Sequence, residues 1–404
     1  MAGRYESKLI KKIIEEILSK LSRKLLYVDK HLVGVSSRLK EILLRVSIES
    51  NDVRMVGICG IGGVGKTTIA KVVYNLISSQ FEGISFLANI REVSKNCGLL
   101  PLQKQLLGDI LMGWSQRISN LNEGINVLMD RLHSKKVLII LDDVDDLNQL
   151  ESLAGNVDWF GIGSRIVITT RDKHLLNVHG VSEIYEAKEL EPEEALQLFS
   201  QYAFKRKSPD KDYMNLSDNV VHYAKGLPLA LKVLGSFLFS KTILEWESEL
   251  HKLKKELNTK VQDVLRISFD GLDFTQKEIF LDLACFFKGQ EYDFVIKILD
   301  GCGFHAKSGI RVLSDRCLID LLDNRLWMHD LIQQMGWEIV RQECPKDPGK
   351  WSRLWDYEHI YSVLKKNTVS VKCINFTFHT QHLHKDVSFN KIIFIQEGKY
   401  NLIN

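Results

Sequence analysis

The sequence predicts an α/β fold in which a parallel sheet with crossover helices is followed by a helical domain and a winged-helix domain. Between residues 53 and 185, short apolar runs alternate with stretches of helical period, a pattern typical of a buried parallel sheet. Residues 189–256 are periodic at helical spacing. Residues 257–345 combine short helices with two strands that flank a turn at Asp323-Asn324, which indicates a winged helix.

Four apolar runs supply the predicted strands. They are VRMVGIC (53–59), GISFLANI (83–90), KVLIILDD (136–143) and SRIVITT (164–170). Together with the helical patterns, they divide the chain into five segments. The expected segments are an N-terminal linker helix (1–28), the α/β domain (29–185), a helical domain (186–256), a winged-helix domain (257–350) and a C-terminal linker or disordered tail (351–404).

Composition narrows the class of protein. The chain has 404 residues, enough for two to four compact units, with 54 basic and 51 acidic residues. This near-balance argues against a dedicated nucleic-acid binder. The seven cysteines include no CxxC pair, and we expect free thiols in a reducing compartment. No apolar run is long enough to span a membrane, and the N-terminus has no secretory signal. The expected location is the cytoplasm, with the nucleus as an alternative.

A glycine-rich motif follows the first predicted strand. GICGIGGVGKTT contains Gly60-x-x-x-x-Gly65-Lys66-Thr67 and precedes a helical stretch, the context that a P-loop requires. Glycines let backbone amides surround phosphate oxygens, Lys66 reaches the β- and γ-phosphates, and the Thr67 hydroxyl ligates Mg²⁺. The predicted phosphate-binding residues are Gly60, Gly62, Gly63, Val64, Gly65, Lys66, Thr67 and Thr68.

Two aspartates end the third predicted strand. Asp142 is expected to join Thr67 in the Mg²⁺ shell, mostly through water. Asp143 is placed to orient or deprotonate an attacking water. Arg171 follows the next strand, and because carboxyl ends of parallel strands converge on a ligand, it could reach the γ-phosphate. A surface salt bridge between Arg171 and Asp172 is the rival interpretation.

Adenine is the expected base. Guanine-specific P-loop proteins use Asn/Thr-Lys-x-Asp, and the candidates TKVQ (259–262) and NKII (390–393) both lack the aspartate. We therefore expect ADP or ATP as the ligand, with Mg²⁺.

The order of the motifs resembles the NB-ARC domain of plant intracellular immune receptors. The matching segments are GIGGVGKTT, KKVLIILDDVDD, GSRIVITTRD, GLPLAL (226–231) and MHD (328–330). FLANIREVS (86–94), Asp145 and FLDLACFF (280–287) resemble the TIR-NBS-LRR branch. The resemblance covers about residues 6–357. It begins at the helix that normally follows the NAD⁺-cleaving TIR domain, and we expect neither that domain nor leucine-rich repeats in this chain.

The resemblance implies a switch that ADP holds closed and that ATP opens for self-association. It further implies that Val33 and Gly34 contact adenine, that Pro228 packs on the base, and that His329 bonds the β-phosphate of ADP. A structural role for the MHD segment is also open, because Asp330 and Gln333 would cap a helix over 331–341. Both roles can hold together.

Three other functions remain open. Asp143 and Arg171 would permit a working ATPase rather than a switch with slow or no turnover. Nucleic-acid binding through the winged helix is disfavoured, since residues 304–318 offer only three scattered basic side chains. The chain could also be an adaptor that associates with full-length immune receptors through the amphipathic helix 6–26.

Overall fold

The computed structural model describes residues 25–29, 32–111, 118–253, 257–366, 373–377, 390–396 and 399–403. Most of the predicted N-terminal helix, 6–26, lies outside these residues. The chain forms two compact units. We call the first the α/β unit; it contains the described residues up to Cys59 and Gly65–Ala187. The second, the helical unit, contains Gly60–Val64 and the described residues from Lys188 onward.

Twelve named helices and strands build the described part of the α/β unit. They are α1 (Val35–Val46), β1 (Arg54–Cys59), α2 (Lys66–Ile77), β2 (Gly83–Leu87), α3 (Ile90–Cys97), α4 (Leu100–Ile110), α5 (Leu121–Leu132), β3 (Val137–Val144), α6 (Leu147–Ala154), β4 (Arg165–Thr170), α7 (Lys173–Val178) and β5 (Glu183–Glu186).

The five strands form one parallel sheet in the order β2-β3-β4-β1-β5. The predicted α/β class is confirmed, and the four predicted strands are present. The short edge strand β5 was not among them, because its glutamates break the apolar pattern. Strand β4 lies between β1, which leads into the glycine-rich motif, and β3, which carries the paired aspartates. The pairing of β3 with β4 shifts register between Leu141 and Val144, at the two aspartates.

The central strands are buried on both faces. Residues Val137–Leu141 of β3 and Ile166–Ile168 of β4 are fully shielded from solvent. Burying a Val, Leu or Ile side chain contributes about 1.5–3 kcal/mol, and these runs therefore fix the sheet on which the strand ends are placed. Such continuous apolar strands need helices on both faces, which the crossover connections supply.

The helical unit contains these described elements: α8 (Pro192–Ala203), α9 (Met214–Ala224), α10 (Pro228–Leu238), α11 (Ile243–Leu253), α12 (Thr259–Asp270), α13 (Phe274–Asp282), a π-helical turn (Leu283–Phe287), α14 (Tyr292–Gly301), α15 (Ala306–Asp315), β6 (Asp320–Leu322), β7 (Arg325–Trp327), α16 (Asp330–Glu343), β8 (Arg353–Leu354), α17 (Tyr357–Lys366), β9 (Cys373–Thr377), β10 (Asn390–Gln396) and β11 (Lys399–Ile403).

An aromatic cluster centred on Trp246 packs the first helices of this unit. The Trp246 ring lies 5.7 Å from that of Phe199 and 5.1 Å from that of Tyr213, both edge-on. Its indole N–H donates to the Leu238 carbonyl at 3.0 Å, so the buried polar atom is satisfied.

The predicted hairpin is confirmed as the antiparallel pair β6–β7. Asp323 and Asn324 both have positive φ, 49° and 58°, as a two-residue type I′ turn requires, and aspartate and asparagine tolerate this conformation best after glycine. Helix α13 begins at a reciprocal cap between Asp273 and Gln276.

A buried ion pair ties β8 to α13. Arg353 Nε donates to Asp282 Oδ1 at 2.6 Å, and its second nitrogen lies 3.0 Å from Glu278. Burial raises the pKa of Asp282, and the Arg353 guanidinium opposes that effect. Further along, β8 pairs with β9 in a sheet of order β11-β10-β9-β8. Among the described residues, no helix combines the length and apolar character needed to cross a bilayer.

Candidate nucleotide-binding site

The predicted lysine and threonine open helix α2. Lys66 is its first residue and is buried, and Thr67 follows it. Gly65, just before the helix, has φ 102°, while a Cβ there would meet no atom within 4 Å. Glycine is therefore required at this position for backbone conformation rather than for space. No side chain caps the helix start within the described structure, and its first amides suit an anion.

The preceding glycine-rich segment, Gly60–Val64, belongs to the helical unit. The Leu229 amide, in the first turn of α10, donates to the Gly63 carbonyl at 3.1 Å. Gly63 has φ 84°, and a Cβ there would lie 2.7 Å from Leu229 Cβ. Pro228 begins α10 and lacks an amide hydrogen. The structure thus places the helix that starts at Pro228 against Gly63.

Asp142 is held by two threonine hydroxyls at the carboxyl edge of the sheet. Thr67 Oγ1 donates to Asp142 Oδ1 at 2.8 Å, and Thr169 Oγ1 donates to the same oxygen at 2.7 Å. Asp142 Oδ2 is buried and accepts no hydrogen bond of ordinary geometry from the described residues, although the Asn89 backbone lies near enough to the carboxylate to help lower its pKa. Burial raises the pKa of this carboxyl, and the hydrogen bonds from Thr169 and Thr67 oppose the rise.

This arrangement fits a Mg²⁺ site. A buried carboxylate oxygen without a well-formed hydrogen bond is costly unless a ligand compensates it, and hydroxyl and carboxylate oxygens are ligands that Mg²⁺ prefers. The described residues contain no cluster of three His, Cys, Asp or Glu side chains that could hold a metal.

Asp143 lies in a strained position between two arginines. Its φ is 57°, in the left-handed region, and its amide donates to Thr169 Oγ1 at 2.8 Å. Arg91 Nε lies 2.8 Å from Asp143 Oδ2, and Arg171 Nε lies 3.6 Å from Oδ1. Burial lowers the pKa of Arg171, and the Asp143 carboxylate opposes that change.

The rival salt bridge between Arg171 and Asp172 stays a prediction, and each residue has another described contact. Asp172 caps α7, accepting from the His174 amide at 3.0 Å. Arg171 is directed to Asp143, and the structure thereby brings Thr67, Asp142, Asp143 and Arg171 together within the α/β unit.

Sequence reasoning did not assign two residues of this cluster. Thr169 joins the backbone of Asp143 to the side chain of Asp142 through one hydroxyl. The only sequence signal was its position at the end of a predicted strand. Arg91 follows β2, and FLANIREVS served to identify a family branch without suggesting an ion pair to a residue 52 positions away.

The predicted adenine-contacting segment lies at the start of α1. Val33 is buried, and Gly34 precedes the helix with φ 68°. The Arg38 side chain donates to the Gly34 carbonyl. The contact with adenine stays a prediction.

His329 is the N-cap of helix α16. Its Nδ1 accepts from the Leu331 amide at 3.1 Å, and its Nε2 lies 3.2 Å from the Lys225 carbonyl. Since an amide can only donate and a carbonyl can only accept, the ring is neutral with its proton on Nε2. Burial lowers the pKa of His329, whereas Glu189 and the Lys225 carbonyl favour the charged form.

The predicted cap by Asp330 is therefore wrong. The helix begins at Asp330 itself, and the preceding histidine side chain is the one that reaches back to an amide. Asp330 instead forms ion pairs with Lys288 and, at 3.4 Å, with Lys225 Nζ. Two contacts thus join the 329–330 segment to Lys225, at the end of α9, within the helical unit.

The parallel sheet, the glycine-rich turn into α2 and the paired aspartates define a P-loop nucleotide-binding protein. A solved structure, the Walker-type ATPase paby2304 of Pyrococcus abyssi, shares the fold with a TM-score of 0.53 and 12% identity, over 79% of this chain and 99% of that one.

Family models identify the chain further. The NB-ARC domain model matches residues 35–209, and the Roq1-like winged-helix domain model of disease resistance proteins matches residues 273–344. These two matches confirm the resemblance to the NB-ARC region and to the winged-helix domain of plant disease resistance proteins.

Curated plant proteins are similar over most of the chain. Disease resistance proteins RUN1 and RPV1 of Vitis rotundifolia are each 57% identical, over 87% of this chain and 26% and 25% of their own lengths. TMV resistance protein N of Nicotiana glutinosa is 43% identical, over 89% of this chain and 32% of its own. The chain thus spans about a quarter to a third of these relatives.

Proposed function

We propose that this chain is a switch of plant innate immunity that is closed with ADP, opens with ATP and hydrolyses ATP slowly. The relatives named as disease resistance proteins support the biological setting. The observation that carries nucleotide binding is the Thr67–Asp142 pair beside the start of α2, with Asp142 Oδ2 buried and without a hydrogen bond of ordinary geometry from the described residues.

In this proposal, different side chains and backbone amides of the chain bind the phosphates and the Mg²⁺ ion. Lys66 and the first amides of α2 bind phosphate oxygens. Thr67 and Asp142 hold Mg²⁺, which would neutralise phosphate charge when bound. Thr169 keeps Asp142 in place by donating to Oδ1, which leaves Oδ2 for the metal or for a metal-bound water.

Slow turnover is supported by the surroundings of Asp143. A general base needs an oxygen that can accept a proton from water within hydrogen-bond reach. Both oxygens of Asp143 face guanidinium groups, those of Arg91 and Arg171. This arrangement favours a switch over a working ATPase, which needs the carboxylate available at every turnover.

His329 has one ring proton to donate, and its position supports a role in the switch. The Nε2 proton now goes to the Lys225 carbonyl. A donor of this kind can also bind a phosphate oxygen, as the resemblance predicts for the β-phosphate of ADP. A hydrogen bond to a charged phosphate contributes about 1.5–3 kcal/mol, which is enough to shift a two-state equilibrium by roughly tenfold or more when it is lost.

The first test is the nucleotide that co-purifies with the protein, released by denaturation and identified by chromatography. Near-stoichiometric ADP in the wild type, lost or replaced by ATP in His329→Ala, is the expected result. His133→Ala is a control, because His133 is exposed on the surface. Asp142→Asn should weaken Mg²⁺-dependent binding. An empty site with rapid ATP turnover in every variant would contradict the switch and favour an ordinary ATPase.

Partners are part of the same proposal. We expect the ATP-bound chain to self-associate or to co-assemble with full-length immune receptors in the cytoplasm. Size-exclusion chromatography of the ADP- and ATP-loaded protein, alone and mixed with a full-length relative, tests this. Identical elution of all samples would argue against assembly.

A further inference from the structure

We infer that Arg91 is a positioning residue that restrains Asp143 and so keeps hydrolysis slow. This inference rests on the proposed function. Arg91 lies in the first turn of α3, and its Nε donates to Asp143 Oδ2 at 2.8 Å. The contact joins the segment after β2 to the register shift at the end of β3.

The two arginines around Asp143 differ in how tightly they hold it. Arg91 Nε donates to Oδ2 at 2.8 Å, whereas Arg171 Nε lies farther from the carboxylate, 3.6 Å from Oδ1. If Arg171 turns to a γ-phosphate, as its place at the strand end predicts, Oδ1 is released. Oδ2 stays bound to Arg91, and the carboxylate remains directed toward α3.

The local backbone makes such a restraint effective. Asp143 has φ 57°, a conformation that costs a non-glycine residue energy and persists only when its surroundings hold it. The Thr169 hydroxyl at its amide and Arg91 at its carboxylate both hold it here, beside the ion pair with Arg171. The neighbouring Asp145 also faces Arg91, but its carboxylate is bound by Gln149 Nε2 at 2.7 Å. Arg91 therefore forms its hydrogen bond with Asp143 rather than with Asp145.

We expect the chain to fold without the Arg91 side chain. The Arg91 side chain is 29% exposed to solvent and the Asp143 side chain 19%. Ion pairs that solvent reaches contribute little to stability. A contact of this strength can still change a rate about fivefold. Arg91→Met removes the charge at similar volume, and Arg91→Lys keeps a charge that can reach the carboxylate.

Single-turnover hydrolysis of bound ATP tests the inference. Arg91→Met should hydrolyse ATP about fivefold faster than the wild type, with ATP and ADP affinities unchanged within about twofold. Arg91→Lys should stay close to the wild-type rate. The Arg91→Met/Asp143→Asn double variant should be as slow as Asp143→Asn alone, because the gain acts through the carboxylate. Arg131→Met is the matched control, since Arg131 pairs with Asp130 on the exposed face of α5.

Hydrogen exchange provides a readout without nucleotide. Peptides covering residues 142–146 should exchange several-fold faster in Arg91→Met than in the wild type or Arg131→Met. A rate of hydrolysis in Arg91→Met at or below the wild-type value, or a gain that persists with Asp143→Asn, would overturn the restraint. So would wild-type-like exchange in these peptides. A wild type that binds neither nucleotide would instead refute the proposed function, while exchange still decides whether Arg91 holds the segment.

Discussion

Replacing Arg165 with methionine should destabilise the α/β unit far more than replacing its neighbour Arg54. Arg165 is the first residue of β4 and is fully buried. Its guanidinium donates to four carbonyls between the last residue of α1 and the start of β1. The acceptors are Val46 at 2.5 Å, Ser47 at 2.6 Å, Ser50 at 2.8 Å and Asp52 at 2.6 Å.

The magnitude follows from these contacts. Burial lowers the pKa of Arg165, whereas the Asp52 carboxylate 3.4 Å away supports the charge. Removing a buried, fully hydrogen-bonded charge typically costs about 3–5 kcal/mol, because its former partners lose their donors. That cost corresponds to a fall in melting temperature of roughly 6–20 °C for a domain of this size.

Differential scanning fluorimetry with denaturant unfolding measures the effect, and Arg54→Met supplies the control. Arg54 binds the same Asp52, through Nε at 2.7 Å, but its side chain is 27% exposed. We expect Arg54→Met to cost less than about 1 kcal/mol. Equal melting temperatures for the two variants would refute the view that burial and the four carbonyls, rather than the ion pair with Asp52, determine the role of Arg165.

Three further predictions concern other contacts. Gly63→Ala places a Cβ at φ 84° against the first turn of α10, and it should reduce the ADP affinity measured by calorimetry more than about tenfold. The control Gly98→Ala, at φ 77° with no neighbouring atom within 4 Å, should leave the ADP affinity unchanged. Burial lowers the pKa of His329 below its ordinary value of 6.5, so the contribution of this residue to stability is full above pH 6.5 and falls as the pH is lowered. In urea melts between about pH 7.5 and 5.5, the wild type should therefore lose stability faster than His329→Gln. Asp282→Leu should cost about 3–5 kcal/mol and the Asp282→Leu/Arg353→Met pair clearly less, since the single change leaves the buried Arg353 with only the partly exposed Glu278 as its carboxylate partner; equal costs would contradict this.

The sequence was informative wherever a local pattern determines local structure. Continuous apolar runs predicted four of the five strands of the parallel sheet, because a strand that is buried on both faces has few polar residues. Asp323-Asn324 predicted the hairpin, since few residue pairs adopt two positive φ angles at low cost. The glycine motif predicted the turn before α2 for the same conformational reason.

What the sequence could not reveal depends on contacts between distant segments. Arg91 and Asp143 are 52 positions apart, and their ion pair arises only when β2 and β3 lie side by side. The His329 cap depends on the side chain turning back to the Leu331 amide, and the short pattern of Asp330 and Gln333 predicted the wrong residue. The phosphate contact of His329 and the adenine contact of Val33 stay predictions.

The hydrogen bond from Leu229 to Gly63 affects how this chain can be divided. A cut at the end of the parallel sheet would retain the glycine motif but remove Leu229, the donor to one of its carbonyls. A fragment ending near Ala187 should therefore keep its strands and lose the shape of its phosphate loop. Any truncation or exchange that keeps the glycine motif should therefore also keep Leu229 and the first turn of α10.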